Sequence, residues 1–393
     1  MTPHGRAYDV IVVGLGGMGS AAAYHLARRG QRVLGLERFD PAHNQGSSHG
    51  GSRLIRQVCF EDPAYVPLVR RAYELWRELE HNSGDALLLA TGGLLLGSPE
   101  CTMLTGARAA AIESDVTHEF LAAAEIRRRF PTLAPGDDTV AFFEPSAGVL
   151  RPELAVAAHL RLAEAIGADL HFVEPVTGWS AASGEGVTVV TGTGTYRAER
   201  LVICPGAWAP SLLRDVGVPF APQRLVQTWF QPEGGVTPFL PDRHPFWLWD
   251  VGSGGRLGFS GFLYGSPAID GPGGGVKLSR VCEQPCTAET LDRVVTTVEV
   301  EEVAALLRPR LSVRLGPVVR ATVCMWTNTP DHHFVLAIHP RHPEVVVAAG
   351  CSGHAFRYVP VIGEILADLA IDGKTAHSIA LFESGRAGSF EEP

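Results

Sequence analysis

The first apolar run in the chain is short and leads into a glycine-rich stretch. Residues 8–13, YDVIVV, are apolar and rich in β-branched side chains, which predicts a buried strand. GLGGMG follows, and then SAAAYHLARRG, whose small and apolar residues predict a helix that ends at Gly30. RVLGLE, which ends at Glu37, predicts the next strand. The pattern therefore predicts a strand–helix–strand unit.

The glycines after the first strand follow the pattern GxGxxG, at Gly14, Gly16 and Gly19, and Glu37 comes 18 positions after the last of them. Such glycines permit a tight turn and a close approach of the backbone to a pyrophosphate at the helix N-terminus. The acidic residue after the second strand can accept the ribose hydroxyls. The unit predicts binding of an adenine dinucleotide, and it does not separate NAD from FAD.

Two later apolar runs look like further parts of this nucleotide fold. LVICPGAW, residues 201–208, predicts a strand that ends at Pro205. VVVAAGCSGHAF, residues 345–356, predicts a buried strand that runs into Gly353 and His354. PVIGEILADLAIDG then has helical periodicity and a terminal glycine. We expect these segments to converge with the first unit on one cofactor.

At 393 residues the chain exceeds the usual size of a single core, so two domains are expected. The segments between the nucleotide-binding pieces are richer in Trp, Pro and Gly and predict a second lobe. The predicted nucleotide-binding domain comprises residues 1–90, 145–220 and 320–393, and the predicted second domain comprises residues 91–144 and 221–319.

Charge and cysteine content exclude several classes of protein. A net charge of -9 disfavours a nucleic-acid binder, because phosphate neutralisation needs a basic face. No apolar run reaches the roughly 18 residues of a spanning helix, and the first ten residues do not resemble a secretory signal. Cys282 and Cys286 form the only close cysteine pair, without a second pair to complete a zinc site. We expect a cytoplasmic protein that binds no metal, nucleic acid or membrane.

Three stretches contain unusual sets of polar or reactive side chains. GSSHGGSR, residues 46–53, combines small residues with the hydroxyls of Ser47 and Ser48, which suit close contact with a flat ligand. If the chain is helical there, Arg53 and Arg56 share a face; a loop with surface arginines is the alternative. The second stretch, CMWTNTPDHHF, begins at Cys324, and an isolated cysteine is usually a buried small hydrophobe. In the third, a glycine run precedes Lys277, one of only two lysines among 33 basic residues.

Four stretches together are similar to the monomeric sarcosine oxidase family, which includes N-methyltryptophan oxidase and pipecolate oxidase. They are VIVVGLGGMGSAAAYHLARRG, GSSHGGSRLIR, CMWTNTPDHHF and AAGCSGHAFRYVPVIGE. The last three are more specific than the dinucleotide pattern, and the resemblance covers nearly the whole chain. It implies an α/β fold with a discontinuous, Rossmann-like FAD-binding domain and a substrate domain built on a mixed or antiparallel sheet.

The resemblance also implies roles for single residues. Cys324 matches the cysteine that is joined through sulfur to the 8α-methyl group of FAD. Arg56 and Arg357 match the two basic residues that bind the substrate carboxylate, the second being a lysine in sarcosine oxidase. Arg53 matches an arginine near the flavin, and His49 and His354 match histidines close to the cofactor, where a structural role is an equal alternative. Lys277 matches the lysine over the flavin that assists oxygen reduction.

The substrate pocket departs from the sarcosine oxidase pattern. Trp326 stands where a tyrosine is expected, and Val281 stands where a histidine is expected. Tyr264 aligns with a pocket tyrosine, although the loop length differs there. Both clear substitutions remove polar groups, so the pattern favours a bulkier or more apolar secondary amino acid over sarcosine.

We therefore expect a monomeric FAD-dependent oxidase that converts the C–N bond of an N-methyl or cyclic amino acid to an imine and reduces O2 to H2O2. One alternative is a dehydrogenase or a biosynthetic imine-forming enzyme that uses another electron acceptor. Another is an NAD-dependent reductase or a non-catalytic nucleotide-binding protein, which would lack the yellow colour of a flavin.

Overall fold

The computed structural model describes residues 8–182, 184–252, 261–281 and 284–389. The N-terminal ten residues used above lie partly outside these ranges, and so does Cys282 of the closely spaced cysteine pair. The six cysteines within them are all free thiols. No helix in these ranges is long and apolar enough to cross a membrane.

Within these ranges the chain forms twenty strands and eight α-helices. The strands are β1 (Tyr8–Val13), β2 (Val33–Leu36), β3 (Arg53–Ile55), β4 (Leu88–Leu89), β5 (Gly93–Gly97), β6 (Glu119–Ala122), β7 (Val140–Glu144), β8 (Gly148–Leu150), β9 (Asp169–His171), β10 (Val176–Ala182), β11 (Gly186–Thr191), β12 (Thr195–Ile203), β13 (Ala221–Pro232), β14 (Phe246–Asp250), β15 (Phe262–Gly265), β16 (Val276–Arg280), β17 (Gln284–Pro285), β18 (Leu315–Asn328), β19 (Val335–His339) and β20 (His342–Ala349). The helices are α1 (Gly17–Arg28), α2 (Tyr65–Ser83), α3 (Thr102–Glu113), α4 (Ala123–Arg129), α5 (Pro152–Ala165), α6 (Ala209–Leu212), α7 (Thr297–Leu307) and α8 (Val359–Asp372).

The first sheet has eight strands and a parallel centre. Strands β9, β2, β1, β12 and β20 lie side by side and run parallel, while β19 pairs antiparallel with β20. Strands β10 and β11 form an antiparallel meander with the first half of β12. Helices α1, α2, α5 and α8 share one apolar core with one face of the sheet, whereas α6 and the meander share a core with the other face. A central strand covered on both faces must be apolar throughout, which explains the run YDVIVV.

The second sheet has nine strands of mixed direction. From β13 its order is β13, β16, β15, β14, β5, β7, β6. Strand β17 pairs with another part of β13, and β18 pairs with β13 along its length. Most neighbours are antiparallel, and β5 with β14 is a parallel pair. Helices α4 and α7 share an apolar core with this sheet, and α3 contributes to another. The two sheets confirm the predicted α/β class with one Rossmann-like and one mixed-sheet part.

Strand β18 bears on the expected domain boundary. It pairs with β13 in the second sheet from Leu315 to Asn328, so residue 320, where the sequence placed a boundary, falls inside one strand. Cys324 and Trp326 therefore reach the site from the second sheet. The division into two discontinuous domains stays a prediction.

The chain around Arg53 and Arg56 is not helical, so the condition under which they would share a helical face is not met. Arg53 begins the short strand β3, which joins β8 and β4 in a third sheet, and Arg56 follows it. Alternate strand residues point to opposite faces. A helical face therefore does not bring Arg53 and Arg56 together. By contrast, α8 ends as predicted, since Gly373 adopts the left-handed conformation at its C-terminus.

Candidate functional site

A cavity of ≈ 510 Å³ begins at the N-terminus of α1 and extends to strands β16 and β18 of the second sheet. Its size is typical of small-molecule and cofactor sites. All but two of the predicted site residues line it: Gly14, Gly16, Glu37, Ser47, Ser48, Arg53, Arg56, Tyr264, Lys277, Cys324, Trp326, Gly353, His354 and Arg357. The two others, Gly19 and His49, do not line it.

The nucleotide end of the cavity is a glycine cradle. Gly14 has a φ of +83°, and a Cβ there would lie 2.3 Å from the carbonyl oxygen of Cys204. Gly19 instead lets α1 pack on the preceding turn, because a Cβ there would lie 1.7 Å from the carbonyl oxygen of Gly14. Gly16 precedes the first residue of α1 at the cavity wall. Only a backbone without side chains at Gly14 and Gly19 permits this turn.

Glu37 lies where the second strand ends and is almost fully buried. Its carboxylate accepts hydrogen bonds from the backbone N–H of Leu15 at 2.7 Å and of Phe39 at 3.2 Å. The acid is therefore tied to the glycine turn that begins the cavity. This contact places the carboxyl group of Glu37 beside the N-terminus of α1, and its role towards a ribose stays a prediction.

The segment with Ser47, Ser48 and His49 lies against this cradle. Ser48 Oγ accepts a hydrogen bond from the N–H of Gly17 at 2.9 Å, so the serine caps the first turn of α1. The Ser47 carbonyl accepts from Arg53 Nη2 at 2.6 Å. His49 is buried behind the cavity, and burial together with Arg53 and Lys277 lowers its pKa to about 3. His49 is therefore a neutral group behind the wall.

Cys324 lies in the C-terminal half of β18 and is buried at the cavity wall. Arg53 Nη2 donates to its sulfur at 3.6 Å, so a guanidinium lies directly beside the thiol. A thiolate is the nucleophilic form of cysteine, and an adjacent cation stabilises it. The geometry gives Cys324 a position at the cavity wall and a cationic neighbour.

Arg56 and Arg357, although 301 positions apart, meet at the same end of the cavity. Both are buried, at 3% and 4% exposure. They share the carboxylate of Glu61, whose Oε1 accepts from Arg56 Nη2 at 2.6 Å and from Arg357 Nη2 at 2.9 Å. Two cations and one anion leave this cluster with one surplus positive charge.

Glu61 remains ionised despite its burial. Burial alone would raise the pKa of Glu61, but the charges of Arg357 and Arg56 outweigh burial and hold that pKa far below its usual value. The second carboxylate oxygen, Oε2, and Arg357 Nε are buried without a hydrogen-bond partner among the described residues. The cluster therefore retains hydrogen-bonding capacity for a further polar group.

Lys277 lies on β16, opposite Trp229 of β13, and its side chain is buried. Its Nζ donates to the carbonyls of Gly50 at 2.8 Å and Ser52 at 3.2 Å. Burial and then the charge of Arg53 lower the pKa of Lys277 well below its usual value. Lys277 is therefore a buried amine at the cavity wall.

The wall between these charged groups is apolar. Leu225, Leu248 and Val281 line the cavity together with Trp326 and Tyr264. Burial raises the pKa of Tyr264 to about 12, so its hydroxyl keeps its proton. Trp326 and Val281, the two departures from the sarcosine oxidase pattern, thus both contribute to an apolar surface. This part of the cavity wall is therefore formed largely by apolar side chains.

Gly353 and His354 close the cavity between the second and first sheets. A Cβ on Gly353 would lie 2.2 Å from the Trp326 ring, so the glycine lets the loop approach that ring. His354 Nε2 lies 2.9 Å from the carbonyl oxygen of His332. Burial lowers the pKa of His354 to about 4, although Glu61 opposes that shift.

Sequence reasoning missed three groups of residues in the site. Glu61 has no motif around it, and only its contacts with the two arginines mark it. Leu225 and Leu248 come from strands whose pairing brings them to the cavity, which an apolar pattern alone does not indicate. Trp208 also lines the cavity, and its indole Nε1 is buried without a partner among the described residues.

These residues fit an adenine dinucleotide that reaches from the first sheet to the second. The helix N-terminus and Glu37 match the requirements of the pyrophosphate and ribose. The buried Trp208 Nε1 offers one further donor at the cavity wall. The other end contains a thiol, a buried lysine and the arginine cluster, which an NAD-binding fold does not require.

Comparisons with known proteins cover nearly the whole chain. Residues 9–369 match the family described as FAD dependent oxidoreductase. Monomeric sarcosine oxidase from Streptomyces avermitilis is 53% identical over 381 residues, which are 96% of this chain and 97% of that protein. N-methyl-L-tryptophan oxidase from Escherichia coli is 32% identical over 386 residues, 96% of this chain and 99% of that protein.

Among solved structures, NikD, an unusual amino acid oxidase essential for nikkomycin biosynthesis, has a similar fold. It superimposes with a TM-score of 0.83 at 27% identity, covering 96% of this chain and 97% of that one. The expected family and fold class are thereby confirmed. The chain belongs to the FAD-dependent oxidoreductases, in the group of the monomeric sarcosine and N-methyl-L-tryptophan oxidases, and it is an enzyme that uses FAD.

Proposed function

We propose that this enzyme oxidises the C–N bond of a secondary amino acid with an apolar substituent, with O2 as the electron acceptor. The overall change converts an H–C–N–H unit and O2 into a C=N bond and H2O2, and water then hydrolyses the imine. The observation that supports this most directly is the buried Arg56–Glu61–Arg357 cluster at the end of an otherwise apolar cavity.

The arginine cluster would bind the substrate carboxylate. Arg56, Glu61 and Arg357 together have one surplus positive charge, which a single carboxylate neutralises. Arginine presents a planar set of donors that matches a carboxylate, so Arg357 can replace the lysine of the sarcosine oxidase pattern. The carboxylate fixes the orientation of the substrate, and orientation alone supplies a large part of a rate enhancement.

The apolar wall would select the rest of the substrate. Leu225, Leu248, Val281 and Trp326 offer surface to an N-methyl group, a ring or an apolar side chain. Each methylene buried there contributes about 0.8 kcal/mol, or roughly a fourfold gain in affinity. An apolar surrounding also favours the neutral amine, whose lone pair is needed for oxidation, because burial disfavours a charged ammonium.

FAD, when bound, accepts the two electrons from the substrate and passes them to O2. Gly14, Gly16, Glu37 and Ser48 would hold its nucleotide part. We propose that Cys324 holds the other part through a covalent bond from its sulfur to the 8α-methyl carbon, since its thiol is buried at the cavity wall beside Arg53. Formation of that bond would break the S–H bond and one C–H bond of the methyl group, and O2 would take up the two hydrogens as H2O2.

Lys277 would act on oxygen and not on the substrate. A cation in a dry site stabilises negative charge that develops on O2 as it is reduced. Lys277 is buried at the cavity and its Nζ is held by two backbone carbonyls, so it is fixed before the reaction begins. Arg53 adds a second fixed positive charge nearby.

A substrate panel with a peroxide assay tests this proposal. We expect N-methyl-leucine, N-methyltryptophan or L-pipecolate to give higher kcat/KM than sarcosine, and one H2O2 for each substrate oxidised. The matched control is the same amine without its carboxylate, which should lose most of its activity. If sarcosine were the best substrate, the apolar wall would not determine the substrate preference. If no peroxide formed, the enzyme would use an electron acceptor other than O2.

We also propose that the enzyme is a monomer. The Streptomyces relative is named as a monomeric enzyme, and that protein is similar to this chain over 97% of its length. Light scattering after size-exclusion chromatography should give the mass of one chain, 42.0 kDa plus cofactor, and twice that mass would refute the proposal.

A further inference from the structure

The hydrogen bonds of Lys277 go to a single turn of the backbone. Nζ donates to the carbonyls of Gly50 and Ser52, which stand on either side of Gly51. The Ser52 N–H donates in turn to the Gly50 carbonyl at 2.8 Å. The position of the Lys277 ammonium therefore depends on the conformation of the turn from Gly50 to Ser52, which we call the lysine turn.

The lysine turn is held from its other side by Glu153. Glu153 Oε1 accepts from the N–H of Gly50 at 2.6 Å and from the N–H of Gly51 at 3.0 Å. Both glycines have positive φ, +101° and +74°, so the turn is a conformation that other residues rarely adopt. One carboxylate thus fixes two amides of a turn whose carbonyls hold the lysine.

Glu153 is itself placed by a regular element. It lies in the first turn of α5, directly after Pro152, and an acidic residue is stabilised at that end of a helix. Its side chain also faces a second cavity of ≈ 430 Å³, which Gly51, Asp270 and Arg320 line as well. The lysine turn therefore separates the cavity of Lys277 from this second cavity.

The charges around Lys277 are mostly positive. Arg53 and Arg320 disfavour the ammonium, and His49 is close enough to feel its charge. Tyr264, 6.0 Å from Nζ by its ring centre, keeps its proton. Cys324 and Glu153 instead favour the charged form of Lys277, and of these two groups Glu153 is the carboxylate. If Cys324 is bonded to the flavin, its sulfur has no charge, and Glu153 remains as a carboxylate that opposes the effect of the two arginines on Lys277.

We propose that Glu153 is a positioning residue for Lys277, whose Nζ it orients through the lysine turn and whose positive charge it favours from across that turn. Glu153 contacts neither substrate nor O2 and acts through Lys277. This inference rests on the proposed role of Lys277 in oxygen reduction. Its test is therefore built so that the link between Glu153 and Lys277 is measured separately from that role.

The direct measurement is an NMR titration of lysine side chains in the holoenzyme. The chain has only two lysines, so protein labelled with 13C-lysine gives two Cε signals, and Lys374, which is exposed, is an internal reference. In Glu153→Gln an oxygen acceptor remains for the amides while the charge is lost. We expect the titration of Lys277 to move to lower pH in this variant and that of Lys374 to stay unchanged.

Asp270→Asn is the matched control. Asp270 is an acid of the same second cavity, and its Oδ2 would lie 3.3 Å from a Cβ on Gly51. It has the same charge as Glu153, whereas the amides of Gly50 and Gly51 donate to Glu153. We expect a much smaller displacement of the Lys277 titration in Asp270→Asn. A similar displacement in both variants would mean a general field of the cavity and would refute a specific role for Glu153.

Stopped-flow kinetics of the two half-reactions complete the test. Lys277→Met should slow reoxidation by O2 by about 10²–10³-fold, the cost of losing one preorganised charge. Glu153→Gln should slow it about tenfold, since Lys277 remains, and should leave anaerobic reduction by substrate unchanged. If the Lys277 signal is unmoved in Glu153→Gln, the inference is wrong, even if stability falls. If that signal moves but Lys277→Met reoxidises normally, the proposed role of Lys277 is wrong and the Glu153 link stands.

Discussion

At the scale of single residues, the site consists of charged and reactive groups that are buried next to one another. Arg56, Glu61 and Arg357 share hydrogen bonds, and Cys324 lies beside Arg53. Removing one member of a buried charged cluster leaves its partners unpaired, which is costly. Substitutions in this site should therefore have large effects that depend on which partner remains.

The arginine cluster makes a prediction about substrate recognition. Arg357→Met or Arg56→Met should cost about 2–5 kcal/mol in kcat/KM for a carboxylate substrate, because a desolvated charge loses its partner. The comparison is with an amine that lacks the carboxylate, for which the variants should differ little from wild type. Equal losses with both compounds, measured by steady-state kinetics, would contradict the assignment of these arginines to the carboxylate.

Cys324 makes a prediction about the cofactor. Because Cys324 lines the cavity and its sulfur lies beside a guanidinium, we expect the flavin to remain attached when the wild-type enzyme is precipitated with acid. Cys324→Ser should release all yellow colour into the supernatant. Cys351→Ser, a change at another thiol of the same cavity, is the control and should retain the colour in the pellet. Free flavin from wild type would show that no bond forms.

At the scale of elements, the cofactor end depends on how closely α8 packs against α1. Gly363 of α8 faces Ala21 of α1, and a Cβ on Gly363 would lie 2.6 Å from the carbonyl carbon of Ala21. The glycine and the alanines of α1 thus allow the two helices to touch along their backbones. This contact positions the first turn of α1, where the nucleotide would bind.

Gly363→Ala tests this packing. The added methyl group meets backbone, which cannot move aside, so we expect a loss of about 1–3 kcal/mol in unfolding free energy, in spite of the higher helix propensity of Ala. Gly178→Ala in β10 is the matched control, because a Cβ there has no atom within 4 Å. Urea unfolding of both variants distinguishes the two cases. An unchanged midpoint for Gly363→Ala would show that the helices have room to separate.

At the scale of the whole molecule, both lobes contain buried histidines that are neutral in the folded protein. Burial lowers the pKa of His25 to about 4 and of His159 to about 3 beside the first sheet. It lowers the pKa of His244, which contacts the second sheet through Trp247, to about 3. An unfolded chain binds protons at these histidines near pH 6.5, whereas the folded chain does not. Acidification should therefore favour unfolding.

The sign and range of this pH effect follow from the lowered pKa values. These histidines do not change the free energy of unfolding above about pH 7. Their effect lowers it as the pH drops below about 6.5, and the loss continues to about pH 4. Each such histidine contributes at most about 1.4 kcal/mol per pH unit. His159→Leu should show a shallower loss between pH 7 and 5 than wild type in urea unfolding, and the exposed His81→Leu should not. Identical slopes would mean that His159 is protonated when folded.

The sequence by itself determined the features that depend on neighbouring residues. The run YDVIVV, the GxGxxG turn and Glu37 predicted the first strand–helix–strand unit, because strand burial, turn geometry and spacing are local properties. The glycine after α8 predicted its end for the same reason. The resemblance in four stretches was enough to predict the family, and fourteen of the predicted residues do line one cavity.

The tertiary structure alone decided which distant residues are partners. Glu153 and Gly50 are 103 positions apart, and Arg357 and Glu61 are 296 apart, so no local pattern indicates either contact. The pairing of β18 with β13 likewise places Cys324 in the second sheet. The sequence around Cys324 does not indicate to which sheet its strand belongs. Such contacts depend on how whole elements pack. A buried charge is costly unless an opposite charge or a hydrogen-bond partner lies next to it, and packing decides which residue that partner is.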